Sequence, residues 1–394
     1  MNEYQDETEQ EKQDEQPKTP KHGFRRFLLF FLILAAVLGV VVVAAYRDGT
    51  GFDALRRFFS YGSVEKAGGS TEFTYDASPS NRYAVFGNCM AVLSDTSLEV
   101  LNDKGEKVWS TSVNMNAPAL AVGGDCAVAY DVGGTELYVV DGSGKRLALT
   151  ADEEEPFIAA TMNAKGWLAV TSGKKNYKGC VSVYDDQMNL AFAFNSSQRF
   201  VTDAWVTDDC KGLAAVTLGQ EDSVFVSNIV LYDLSQTDPV GNYSVKDGLV
   251  LAIGELSSRL TTVSDTCLTF AGTDGGDSAS YDYSGEYLRE YSLDGDGYAA
   301  LLLDRYQSGS VGRLVTVGTD GKELASLDVN TEILSISAAG RYLAVLYADK
   351  LVIYNPQLQE YATLSGTDYA KAALMRTDGS ALMISSDRAS LYLP

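Results

Sequence analysis

Histidine is almost missing from this chain of 394 residues: the single copy is His22, near the N-terminus. The remainder therefore holds no Ser-His-Asp triad, no His-paired cysteine nucleophile and no His-ligated zinc or copper. Cysteine is scarce as well. Cys89, Cys126, Cys180, Cys210 and Cys267 are five, so at least one is unpaired within a monomer, and none forms a CxxC pair of the metal-binding type. Positive charge is short, with 31 Lys and Arg against 53 Asp and Glu and a formal net charge of −22. That balance excludes nucleic acid as a partner, since binding a phosphate backbone requires a concentrated basic surface. Beyond residue 71 no long stretch of 3.6-residue periodicity occurs, which excludes a helical domain there.

What is present begins with an acidic tail. Residues 1–26 carry seven Asp and Glu, many Gln and almost nothing apolar before Phe24, a composition that cannot offset the entropy of ordering. Phe27–Tyr46 then runs for twenty residues without a charge, roughly 30 Å as a helix, enough to cross a bilayer. The run exceeds the apolar region of a secretory signal, about 7–15 residues, so a retained signal anchor is expected; cleavage after Val43-Ala44-Ala45 is the alternative. Lys12, Lys18, Lys21, Arg25 and Arg26 precede the span, against Arg47, Arg56 and Arg57 after it. That bias expects a single-pass protein in the cell membrane with its N-terminus cytoplasmic and the large C-terminal domain extracytoplasmic. Residues 47–70 form a juxtamembrane linker. Its Phe52, Leu55, Phe58 and Phe59 suit either a short interfacial helix or aromatics tucked under the domain.

Residues 71–394 read as short alternating runs broken by Gly, Asp and Asn, the pattern of an all-β domain. A unit of form apolar-x-apolar-apolar, usually followed by Asp, Asn or Gly, recurs at Leu98, Leu137, Val181, Ile229, Leu268, Leu314, Leu351 and Leu391. The intervals are 39, 44, 48, 39, 46, 37 and 40 residues, close to the ~40–45 of propeller blades. Each period resolves into four strands, for example Arg82–Phe86, Met90–Leu93, Leu98–Leu101 and Lys107–Val113. The last repeat has only three, near Ala372–Met375, Ala381–Ile384 and Ser390–Leu393, while an unassigned run, Glu72–Tyr75, precedes the first. An eight-bladed β-propeller closed by that N-terminal strand is the expected fold, because closure leaves no open sheet edge.

Asp103-Lys104-Gly105-Glu106-Lys107-Val108-Trp109 resembles the turn and docking Trp of quinoprotein repeats, and only this copy keeps the Trp. The arrangement from residue 27 onward is similar to a bacterial family of membrane-anchored β-propeller proteins of the quinoprotein-like and WD40-like class. The resemblance implies a propeller. It does not imply quinone-dependent dehydrogenation, which needs more such Trp residues and a cofactor site that is not found. Non-enzymatic members of the class bind other proteins, among them the eight-bladed outer-membrane assembly lipoprotein, but no cysteine follows the anchor here to carry a lipid.

Several segments have a chemical reading beside a structural one. Gly142-Ser143-Gly144-Lys145-Arg146 lacks Walker spacing and sits between strands, as a hairpin turn does. Asp274-Gly275-Gly276-Asp277 and Asp294-Gly295-Asp296-Gly297 offer oxygen ligands to calcium, or are Asp-Gly turns. The cysteines suit small buried hydrophobes, with Cys180–Cys210 the first disulfide to suspect. Tyr281, Tyr283, Tyr287, Tyr291 and Tyr298 make either a sugar-stacking surface or a sheet covering. No catalytic, cofactor-binding or metal-ligating residue is assigned. The expected function is a non-enzymatic interaction module for a protein or cell-envelope component. The alternative is a glycan-binding or carbohydrate-active enzyme using carboxylates and tyrosines on one propeller face.

Overall fold

The computed structural model describes residues 31–37, 40, 53, 57, 72–221, 223–245, 248–307 and 311–394. The chain divides into two units, residues 1–60 and 61–394. In the first, residues 31–37 are helical. The acidic tail, most of the apolar run Phe27–Tyr46 and nearly all of the linker lie outside the described residues. Among the described residues no helix is long and apolar enough to cross a membrane.

The second unit is an eight-bladed β-propeller made of eight four-stranded antiparallel sheets. In blades 1–7 the strands follow chain order. The first strands of neighbouring blades meet around the axis, so Arg82–Phe86, Pro118–Gly123, Phe157–Met162, Phe200–Val206, Val250–Leu256, Tyr287–Ser292, Ile333–Ala339 and Ala372–Met375 are the innermost strands of blades 1 to 8. The closing strand is where the sequence places it. Glu72–Thr74 pairs with Arg388–Tyr392 in the register Glu72↔Ser390, Phe73↔Ala389 and Thr74↔Arg388, completing blade 8 from the other end of the domain.

The recurrent apolar unit is the third strand of each blade, and the residue that follows it starts the outer hairpin. The Asn102 side-chain oxygen accepts the Lys104 and Glu106 N–H groups at 3.0 and 2.9 Å. Asp185 and Asn355 hold their turns in the same way. A short carboxylate or amide satisfies two turn donors at once, which suits Asp or Asn to this position in five blades; where Gly272 and Gly318 stand there instead, Asp274 and Asp320 accept a turn N–H.

Burial explains the remaining pattern. Second strands lie between neighbouring blades and are covered on both faces, as in Tyr298–Asp304 and Tyr342–Tyr347, so they read as unbroken apolar runs. Outermost strands such as Lys107–Ser112 expose alternate residues. Eight apolar clusters result, one between each pair of adjacent blades, and the cluster joining blades 8 and 1 contains Phe73. A blade therefore buries its faces only through its neighbours. Trp109 docks as the quinoprotein likeness implies: a Cβ on Gly144 of blade 2 would lie 2.9 Å from its ring, and Gly144 has φ +123°.

Candidate functional site

The innermost strands present their free edges to the axis, and side chains from neighbouring blades satisfy many of those main-chain groups. In blades 3 to 7 each innermost strand carries a bulge at an equivalent level, followed by Ala159, Asp203, Ala252, Glu290 and Ser335. The bulge turns that next side chain toward the following blade. Asp203 accepts the Ala204 N–H at 2.8 Å and a second N–H from Ile253 of blade 5. Glu290 accepts the Ile336 N–H of blade 7 at 3.1 Å. Ser335 accepts the Ala373 N–H of blade 8 at 3.0 Å, with Ser337 doing the same one step along for Met375. Thr161 donates its hydroxyl to the Ala204 carbonyl. These contacts act as latches between blades.

Asp203 is the most perturbed of these groups. Its carboxylate touches the channel but is surrounded by protein, and burial pushes its pKa up to about 7 against the pull of its two N–H donors. Across the axis, Tyr130 of blade 2 and Tyr291 of blade 6 lie within its field. Burial raises both phenols, and the charge on Asp203 raises them further. Asp203 and Glu290 are inward carboxylates, but each already holds main-chain N–H groups.

The two ends of the ring differ in character. One carries the hairpins joining first to second and third to fourth strands; they are built largely of Asp, Asn, Ser and Gly, and the fourth strands that start there expose Val108, Leu190, Val240 and Leu324. The other carries the second-to-third connections and the crossovers between blades. Its second-to-third connections expose Val132, Tyr177, Val224, Phe225, Tyr306 and Val311, and its crossovers and strand starts expose Phe200, Leu249, Leu251, Tyr287 and Tyr369. Single exposed apolar residues are ordinary, but eleven at one end against four at the other, among the described residues, is a marked bias. This end is called the loop face below.

The segments noted in the sequence resolve mostly to structure. Gly142–Arg146 is a hairpin turn whose Ser143 N–H and hydroxyl are taken by Asp141 at 2.7 and 2.6 Å, leaving neither for a phosphate. Asp274 holds its own turn through the Gly276 N–H, and Asp277 pairs with Arg259 at 2.8 Å. Asp294 and Asp296 flank a bridge between Gly295 and Gly340 of the next blade. No three His, Cys, Asp or Glu side chains are grouped as metal ligands among the described residues. The suspected Cys180–Cys210 bridge is absent because Cys180 lies at the loop-face end of its strand and Cys210 in a hairpin at the opposite end. The five tyrosines do not share a surface. Tyr283 and Tyr298 are fully buried, Tyr281 donates to Glu323, Tyr287 is on the loop face and Tyr291 at the axis. Asp203, Glu290 and the apolar loop face were not found from sequence. Only the longest repeat interval, 48 residues, signalled one part of them, since it contains an extended hairpin in blade 4.

A family model described as "Family of unknown function (DUF5711)" matches residues 61–385. The chain belongs to that family. No curated protein sequence matches it. Among solved structures, BamB from Moraxella catarrhalis is 14% identical with a TM-score of 0.50, covering 82% of this chain and 99% of its own. The C-terminal WD40 domain of Sif2 is 13% identical with a TM-score of 0.56, covering 83% and 100%. The quinohemoprotein alcohol dehydrogenase ADHIIG from Pseudomonas putida HK5 is 10% identical with a TM-score of 0.51, covering 80% and 71%. At such identities the likeness concerns the propeller fold alone.

Proposed function

We propose that this chain is a single-pass membrane protein whose extracytoplasmic propeller binds a protein or cell-envelope component through its loop face, without catalysing a reaction. The observation that carries the reading is the enrichment of exposed large apolar side chains on that face, eleven against four at the other end. The use of the inward carboxylates as latches supports a binding role over a hydrolytic one, since a carboxylate committed to main-chain donors is poorly placed to move protons to a substrate. The uncharged run Phe27–Tyr46 and its basic upstream flank support the anchor. The carbohydrate reading is not favoured, because the tyrosines that suggested it are dispersed.

Two measurements test the proposal. Protease added to intact cells or sealed right-side-out vesicles should digest the propeller and spare the tail; a protected propeller refutes the topology. Photocrosslinking residues at Tyr177 and Tyr306 on the loop face should capture a discrete partner, whereas those at Asn88 and Lys104 on the other face should not. Equal capture from both faces refutes the assignment of the face.

A further inference from the structure

The second and third strands of blade 4, Gly212–Glu221 and Val224–Asp233, are ten residues each, against four to seven for the other strands of these two positions. They pair with each other from Gly212↔Asp233 out to Glu221↔Val224. The first strand joins them only from Phe200↔Leu218 inward, and the fourth only as far as Ser227↔Val245. Residues 219–221 and 224–226 therefore project from the loop face as a two-stranded ribbon, with no strand on either outer edge among the described residues. Val224 and Phe225 point to opposite sides of it, and both are 63% exposed. Arg199 braces the base, lying across Gly219, donating to the Val226 carbonyl at 2.7 Å and pairing with Glu221 at 3.0 Å. An exposed apolar ribbon whose edges carry no strand, with only the Val226 carbonyl held by Arg199, is a liability that folds ordinarily blunt and a natural template for an added strand.

Charge selects the occupant. Residues 72–394 hold 43 Asp and Glu against 22 Lys and Arg. An anionic surface draws a cationic partner and repels an anionic membrane. Deepening the proposed function, on which it rests, we propose that the blade 4 ribbon docks an extended polypeptide segment of alternating apolar and basic residues, added as a strand beside Val224 and Phe225. Main-chain hydrogen bonds supply the pairing, Val224 and Phe225 the apolar anchors, and the net negative charge of the domain the preference for Lys and Arg.

The test uses the purified full chain and a fluorescent peptide of about ten residues alternating valine and lysine, a strand length the ribbon can meet. Matched peptides carry glutamate for lysine, or proline at alternate positions. The lysine peptide should bind saturably, at least about tenfold tighter than either control, and weaken as salt rises. Val224→Asp and Phe225→Asp should each reduce its affinity about tenfold or more while leaving the melting temperature unchanged, since both side chains are exposed. Leu324→Asp, on an outer strand of blade 6, should not change it. No binding of the lysine peptide, equal binding of the proline peptide, or binding to anionic lipid vesicles in its place overturns the ribbon proposal. Binding that ignores Val224→Asp and Phe225→Asp but is lost in Tyr306→Asp also overturns it, while leaving the loop face standing. Loss only on substitution at Asn88 or Lys104 defeats both.

Discussion

Replacing Phe73 by Ala should loosen the whole ring, though the residue sits in a strand of three. Phe73 has no exposed surface and packs with Met90, Val92 and Leu101 of blade 1 and Leu382, Ile384, Ala389 and Leu391 of blade 8. Among the described residues its strand is also the only one joining the N-terminal end of the domain to blade 8. A buried Phe→Ala change costs about 3–5 kcal/mol, partly for lost transfer energy and partly for the cavity. Little relaxation is expected here, since the ladder Glu72↔Ser390 to Thr74↔Arg388 and the Tyr75 hydroxyl bond to the Arg388 carbonyl at 2.7 Å hold the backbone in place. For a domain of this size, with an unfolding entropy of roughly 2 cal/mol/K per residue, that loss lowers the melting temperature by about 5–7 °C. Thermal unfolding of the purified chain, followed by near-UV circular dichroism, reads the shift. Phe73→Leu should lose under about 1.5 kcal/mol, and Thr74→Ala, at an exposed position, should stay within about 0.5. Wild-type melting of Phe73→Ala, or an equal fall in Thr74→Ala, would refute packing-driven closure.

Asp203→Asn tests the axial latch through pH. Because the folded pKa is raised to about 7, the unfolded chain releases this proton first, so wild type loses stability as pH rises from about 4 to 7, by roughly 4 kcal/mol in all, and stays low above that. The Asn variant cannot ionise there, so its urea midpoint should gain on wild type between pH 5 and pH 8; a constant difference contradicts the assignment. Gly144→Ala should cost about 1–3 kcal/mol, because a left-handed φ and the Trp109 ring both oppose a Cβ. Adding Trp109→Ala should recover part of that loss in a double-mutant cycle, and strict additivity would show that the two do not touch.

The blade count, the closing strand and the outer turns were all readable in the residues, because each depends on chemistry within a few positions. Alternation sets a strand, an Asp or Asn sets the hairpin after it, and the repeat of about forty residues sets the blade. Glu72–Tyr75 was identifiable as the missing strand because the last repeat was one strand short, and the structure pairs Glu72–Thr74 there. Tertiary structure alone decided which side chains meet. Tyr130, Asp203 and Tyr291 are more than seventy residues apart in successive pairs, and nothing local marks Asp203 as more than a polar residue in a strand. Its neighbours come from blades 2, 5 and 6, and its burial arises only once the ring closes around the channel. The same holds for the loop face: Tyr177, Phe225 and Tyr306 read singly as ordinary exposed residues. Only the common direction of the second-to-third connections in every blade gathers them at one end of the ring, since in a propeller strand polarity, and not sequence distance, decides which loops become neighbours.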